Sequence, residues 1–342
     1  MTVDLPLDLL QRSPQEGARL VVLQRLAAAA TAAGRLADPA DAEALHDFRV
    51  GVRRTRSALR AYRPVLDDAV SKKLRRRLRD LMASTNADRD REVQIAWLEA
   101  QLPRLQPAGR RGARWLADSL RGDDPDAPAR TARRAAAEFV RLERALRRRL
   151  SSLRIELAVE PGAEPSARPT FGAQTGELVA AHGAELRATL AEVHETSDEA
   201  AAHAARIAAK RLRYLLEPLR ELRPEAADLV DRLRELQDLL GELHDAHVLG
   251  ATLADALAAA AAERARARAA TALAAGSEAA RGLGRRGSPA SGALALADLL
   301  RARQTELFAR VDEVWLGGRG DAFLRQVERF ADRLAAGTKE EG

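Results

Sequence analysis

The chain has no cysteine among its 342 residues. Disulfides and thiolate metal sites are therefore excluded, and a reducing compartment fits. Aromatic residues make up only 3%, so the core must be assembled from Leu, Ala and Val. Long apolar runs are missing. The longest, Ala256 to Ala262, is far too short to cross a bilayer. The opening residues MTVDLPLDLLQRSPQEG lack the basic start and apolar block of a secretory leader. The expectation is a cytoplasmic protein with no membrane partner. Alternating β-branched runs are missing as well, which removes the usual signature of strands.

What is present is helical periodicity. Ala, Leu, Arg and Glu dominate, and apolar residues recur at steps of three and four, so the chain reads as all-α. Pro and Gly punctuate it near Pro39, Pro64, Pro103–Gly109, Gly122–Pro128, Pro161–Gly172, Pro224 and Gly282–Gly292. The stretch EPGAEPSARPTFG (160–172) is the best linker. It divides the chain into a first half, 1–159, and a second half, 173–336.

Charge is concentrated. From His46 to Arg79 there are twelve Arg or Lys against three Asp, a local +9, which leaves −3 for the rest of a chain of net +6. Concentrated positive charge points to an anionic partner. It is also duplicated. HDFRVGVRRTRSALRAYRPVL from His46 and HAARIAAKRLRYLLEPLRELR from His203 match at an offset of 157. The pairs are His46/His203, Arg49/Arg206, Val50/Ile207, Arg53/Lys210, Arg54/Arg211, Arg56/Arg213 and Leu59/Leu216. A second match, offset by 155, aligns Leu78–Leu81 with Leu233–Leu236, so that Arg79 meets Arg234, and Arg89–Asp90 with His244–Asp245. A repeat that keeps its cations, and not only its core, implies a shared anion.

On a helical wheel Arg49, Arg53, Arg56 and Arg60 fall within about 80°. Phe48, Val52, Leu59 and Tyr62 fill the neighbouring, core-facing arc. Such a line costs a few tenths of a kcal/mol per neighbouring like-charged pair, and Asp47 is the only acid between Glu43 and Asp67. The natural counter-ion is external, and the guanidinium fork suits phosphate. His203, Arg206, Lys210 and Arg213 repeat the line. Arg54 and Arg211 sit on the other flank. Arg75 and Arg79 are the best candidates within the second basic helix, KKLRRRLRD (72–80).

H-x-x-R-V-x-x-R-R-x-R at His46–Arg56, H-x-x-R-I-x-x-K-R-x-R-Y at His203–Tyr214 and LLGELHDAHVL at Leu239–Leu249 resemble the CHAD family of histidine-bearing α-helical domains. The resemblance covers about Pro14 to Leu334. It implies two pseudo-symmetric four-helix bundles forming one module with a basic central cavity that binds inorganic polyphosphate. It also implies a capture or targeting role beside polyphosphate metabolism or granules, without catalysis, cofactor or metal. The phosphate-lining candidates it implies are His46, Arg49, Arg53, Arg56 and Arg60 from one copy. From the other come His203, Arg206, Lys210, Arg213 and Tyr214, with Arg79, Arg234 and His244 in support. The chain departs from the pattern where Glu217 replaces the equivalent of Arg60 and where Pro218 follows.

Two alternatives stand beside this reading. His46–Asp47, His244–Asp245 and the His244/His247 pair could serve a metal-dependent phosphohydrolase, although His46 lies in a cationic line that repels metals. A non-specific nucleic-acid-binding protein would share the charge, but single-stranded sites use aromatic platforms that this chain lacks.

Overall fold

In the computed structural model the described residues are 4–38, 41, 43–121, 124, 127–152, 169–284 and 289–337. Among them the regular structure is helical, with no strand. The helices are α1 (Pro14–Arg35), α2 (Ala44–Ala61), α3 (Arg63–Leu66), α4 (Lys72–Ala83), α5 (Asn86–Gln101) and α6 (Pro107–Arg121). They continue with α7 (Ala127–Ser151), α8 (Phe171–Ala191), α9 (Glu199–Leu216), α10 (Pro224–Gly284), α11 (Pro289–Trp315) and α12 (Gly318–Ala336).

The starts follow from local chemistry. Ser13 caps α1 by accepting the Glu16 N–H at 3.3 Å, with Pro14 at the first helical position. Ser71 caps α4 and Thr170 caps α8 in the same way. Pro218 ends α9: the chain passes into a short 3-10 turn at Glu217–Leu219. The expected linker lies mostly outside the described residues, but its last two positions, Phe171 and Gly172, are buried and already open α8.

Helices α1, α2, α4 and α7 pack side by side, as do α8, α9, α10 and α12. Their interiors are not separate. One cluster of buried side chains runs from Leu9 and Leu10 through Phe48, Tyr62 and Leu78 to Phe171, Leu212 and Leu334. Tyr62 carries this junction. Its ring lies 5.1 Å from that of Phe171, and its hydroxyl is 3.2 Å from the Thr175 hydroxyl on α8. A second, smaller core unites α5, α6, α10 and α11 through Leu98, Leu116, Leu249, Leu253 and Leu296.

One glycine fixes the placement of the cationic helix. A Cβ on Gly51 would stand 2.7 Å from the Ala29 backbone, so only glycine lets α2 lie this close on α1. Gly51 is about 160° around the wheel from Arg53, and the contact with α1 therefore turns Arg53, Arg56 and Arg60 away from that neighbour.

Candidate functional site

The C-terminal half of α2, the length of α4 and the middle of α9 enclose a cavity of about 980 Å³. Arg53, Arg56, Arg60 and Arg63 line it from the α2–α3 side, Lys72, Arg75, Arg76 and Arg79 from α4, and Lys210 and Arg211 from α9. No acidic side chain is among the lining residues. The apolar part of the wall is Leu59, Leu78, Leu178, Ile207 and Leu215, and His182 joins it from α8.

The two repeat copies meet across this wall. Arg53 Nε donates to the Tyr214 hydroxyl at 2.9 Å, and the Arg213 guanidinium lies 5.0 Å from the centre of the Tyr214 ring. Tyr214 is thus a brace between two cations. Arg56 is half-buried, and desolvation, followed by Arg79 and Arg60, lowers its pKa. Lys210 is pushed down to about 7, first by desolvation and then by Arg206, Arg53, Arg213 and Arg211. Some rim cations have local partners. Arg75 pairs with Asp67, Arg79 with Asp80 at 3.1 Å, and Arg211 with Glu185. Glu185 also holds the His182 ring at 2.8 Å.

The cationic line does not stay in the cavity along its whole length. His46 is exposed at the start of α2. Arg49 is only 8% exposed and its guanidinium donates to the Thr85 carbonyl, which ties α2 to the turn after α4. Arg54 leaves the cavity for Glu217, with Nε 2.7 Å from that carboxylate. Arg213 reaches Glu217 at 3.1 Å and Gln237 at 3.1 Å, and Arg25 reaches Glu217 at 3.5 Å. Three guanidiniums therefore converge on one carboxylate that is 7% exposed. This acid neutralises the flank where the second copy would otherwise continue the basic line. Arg234 points to Asp231 at 3.2 Å on an exposed face.

The histidines form a separate group. The rings of His203 and His244 lie 4.4 Å apart, and each Nδ1 is buried without a hydrogen-bond partner among the described residues. Desolvation, then Arg206 and Lys210, lowers the pKa of His203. Desolvation, then His203 and Arg206, pushes His244 down to about 4. Both shifts favour the neutral imidazole, so these rings add little positive charge beside Arg206. His247 Nε2 is 3.0 Å from the Thr196 carbonyl, a structural contact between α10 and the turn before α9.

Of the sixteen residues singled out by sequence, Arg53, Arg56, Arg60, Arg75, Arg79, Lys210, Arg211 and Tyr214 line the cavity. His46, Arg49, Arg54, His203, Arg206, Arg213, Arg234 and His244 are not among its lining residues. Arg63, Lys72, Arg76 and His182 line it and were not singled out. Lys72, Arg75, Arg76 and Arg79 follow a spacing of zero, three, four and seven, which is one helical face. That signal was present in the sequence.

A family model described as the CHAD domain matches residues 21–254. The crystal structure of the CHAD domain from the plant Ricinus communis superposes with a TM-score of 0.56 at 19% identity. The alignment covers 96% of this chain and 94% of that one, and at this identity it shows the shared fold. A comparison with curated proteins found no match.

Proposed function

We propose that this chain, which belongs to the CHAD domain family, binds inorganic polyphosphate in the cavity between α2, α4 and α9. The observation that carries the reading is the cavity wall itself, where ten Arg or Lys side chains from both halves meet with no acid among them. Arg63, Arg75, Arg79 and Arg211 have carboxylate partners at the rim, and the lining cations beyond these are costly to gather unless an anion completes them. A flexible polyanion with no base to read needs only such a wall. The resemblance to the CHAD family supplies the same ligand independently, together with a capture or targeting role near polyphosphate stores or polyphosphate-metabolising proteins.

Two observations favour phosphate chains over nucleic acid or catalysis. Both tyrosines of the chain are buried, Tyr62 at 2% and Tyr214 at 6% exposure, and Tyr214 is engaged by Arg53. Neither offers a stacking platform for a base. Among the described residues no three His, Asp or Glu side chains gather as metal ligands would, so the phosphohydrolase reading finds no support in the geometry. The cavity is read as binding phosphate without cleaving it.

The test is calorimetric titration of the full chain with polyphosphate of defined length. Charge-assisted hydrogen bonds are worth about 1.5–3 kcal/mol, so Arg53→Ala should weaken binding by about ten- to a hundredfold with helicity retained. Binding should also weaken with salt, because bound cations release counter-ions. Unchanged affinity in Arg53→Ala and Arg56→Ala alike would remove the cavity as the site. Polyphosphate should displace labelled DNA at lower charge equivalents than DNA displaces polyphosphate. The reverse order would favour the nucleic-acid reading.

A further inference from the structure

The cavity accounts for one concentration of positive charge, and the chain has a second. Helix α7 (Ala127–Ser151) carries eight arginines against two glutamates, a net +6. Its large apolar side chains Phe139, Leu142, Leu146 and Leu150 are buried, and the helix packs on α1 and α4. On the opposite side Arg130, Arg133, Arg134, Arg141, Arg144 and Arg148 fall within an arc of about 100°, and all six are exposed. From Arg130 to Arg148 the line is about 27 Å long. Arg130 is paired with Asp124, and Arg141 with Glu138 at 2.7 Å. Arg148 lies in the last turn, where the helix dipole favours a cation. Arg133, Arg134 and Arg144 have no such support. No carboxylate meets them among the described residues. Each has a like charge one turn away on the same face, Arg130 for the first two and Arg141 for the third, and such pairs repel.

This stripe connects with the cavity through α4, which stands between them. Around the wheel of α4, Arg75, Arg79, Lys72, Arg76, Lys73 and Arg77 succeed one another over about 200°, and Asp80 is the one acid of that helix. The first four line the cavity. Arg77, at the far end of the arc, lines a groove of about 300 Å³ between α4 and α7, and Arg134 stands in the opposite wall. Asp80 and Glu138 also line this groove, but both are engaged, Asp80 by Arg79 and Glu138 by Arg77 and Arg141. An anionic chain leaving the cavity over α4 therefore meets Arg76, Lys73, Arg77 and Arg134 before it reaches the open face of α7.

We propose that this face of α7 is a second, external track for long-chain polyphosphate, whose first units fill the cavity and whose remainder crosses α4 onto Arg134, Arg133 and Arg144. The origin of the chain rests on the cavity reading; the anion-binding character of α7 stands without it. A single flexible strand of charges matches a single line of cations. A helix that inserts into lipid turns large apolar side chains outward. Here those of α7 are buried except Val140, which is 42% exposed. Single-stranded nucleic acid seeks aromatic platforms. The one aromatic of α7, Phe139, lies edge-on to Phe48 in the core, with ring centres 5.3 Å apart.

Calorimetric titration of the full chain compares sodium tripolyphosphate, which the cavity alone can hold, with size-fractionated polyphosphate longer than the cavity and α7 together. The test variant is Arg133→Gln/Arg134→Gln/Arg144→Gln. Arg104→Gln/Arg111→Gln/Arg114→Gln, on and beside α6, removes the same charge elsewhere as a control. Circular dichroism establishes that both are folded, and Arg144→Gln alone should show part of the effect. The α7 variant should bind tripolyphosphate like the wild type. It should bind the long chain about tenfold more weakly, with a log–log salt slope flatter by about 2, at ~0.7 per single-strand phosphate contact. Unchanged long-chain affinity, or an equal loss in the α6 control, overturns the track and leaves the cavity reading standing. A wild type that ignores tripolyphosphate yet holds the long chain through α7 supports the track and removes the cavity as its origin. If the α7 variant loses a DNA duplex or phosphatidylglycerol vesicles more than it loses long-chain polyphosphate, the track belongs to those partners and the proposal falls.

Discussion

Glu217 offers the sharpest test of the electrostatics. Its carboxylate lies within 3.5 Å of Arg25, Arg54 and Arg213 and is 7% exposed. Arg25 is itself well buried, and desolvation lowers its pKa despite the help of Glu217. Glu217→Gln preserves the shape and removes the charge. Breaking a buried ion pair by deleting one partner costs about 3–5 kcal/mol, and the amide still accepts a hydrogen bond, so the lower end, about 3 kcal/mol, applies. At roughly 2.1 cal/mol/K per residue a chain of this length unfolds with about 0.7 kcal/mol/K of entropy. The expected fall in Tm is therefore about 4 °C. The variant should recover more than the wild type on adding tripolyphosphate, because three released guanidiniums now bind anion and ligand linkage stabilises the folded state. Differential scanning calorimetry with and without tripolyphosphate reads both effects. A Tm within about 1 °C of the wild type without anion, or an equal anion-induced shift in the two proteins, would refute the reasoning.

Arg49→Ala should act on stability rather than on binding. The guanidinium is buried on the Thr85 carbonyl, and an unsatisfied buried group costs about 1–3 kcal/mol, readable as a lower urea midpoint with polyphosphate affinity of the folded fraction intact. Gly51→Ala should loosen α2 from α1, because its Cβ would meet the Ala29 backbone at 2.7 Å. Hydrogen exchange of α2 amides checks this, and unchanged protection would count against it. The ligand-free protein should grow more stable as pH rises from about 7 toward 10. Lys210 is depressed to about 7 in the folded state, so the unfolded chain binds more protons across that window. The same slope should be missing from Lys210→Met in urea titrations at several pH values. His203 and His244 are depressed too, so stability should also rise between about pH 4 and pH 6.5, the ordinary histidine value, and this rise should shrink in His244→Phe.

The all-α character and the family were legible because both rest on local pattern: apolar steps of three and four, and a doubled H-x-x-R motif. The cavity was legible in part. Arg53, Arg56 and Arg60 share a face, and that face does line the cavity. Arg49 shares the same face yet is covered by the turn at Thr85, and no wheel records which neighbour crosses the start of a helix. The histidines were named only by the motif and the resemblance. The structure sets the His203 ring 4.4 Å from that of His244, tilted by 44°, a pairing across α9 and α10 that periodicity does not encode. Glu217 was recognised as the break in the second line. Its three partners were not, because Arg25 and Arg54 come from the other half of the chain. The expectation of two bundles also missed that α5, α6, α10 and α11 build a core of their own.

The junction at Tyr62, Phe171 and Thr175 has a consequence during synthesis. The ribosome releases α2 and α4 long before α9, and until Lys210 and Tyr214 emerge the arginines of the first half face no opposite wall. On the proposed reading a nascent chain should be blind to polyphosphate, and capture should switch on only when the later half docks. Complementary fragments split within 153–168 should each be mute alone and regain capture when mixed.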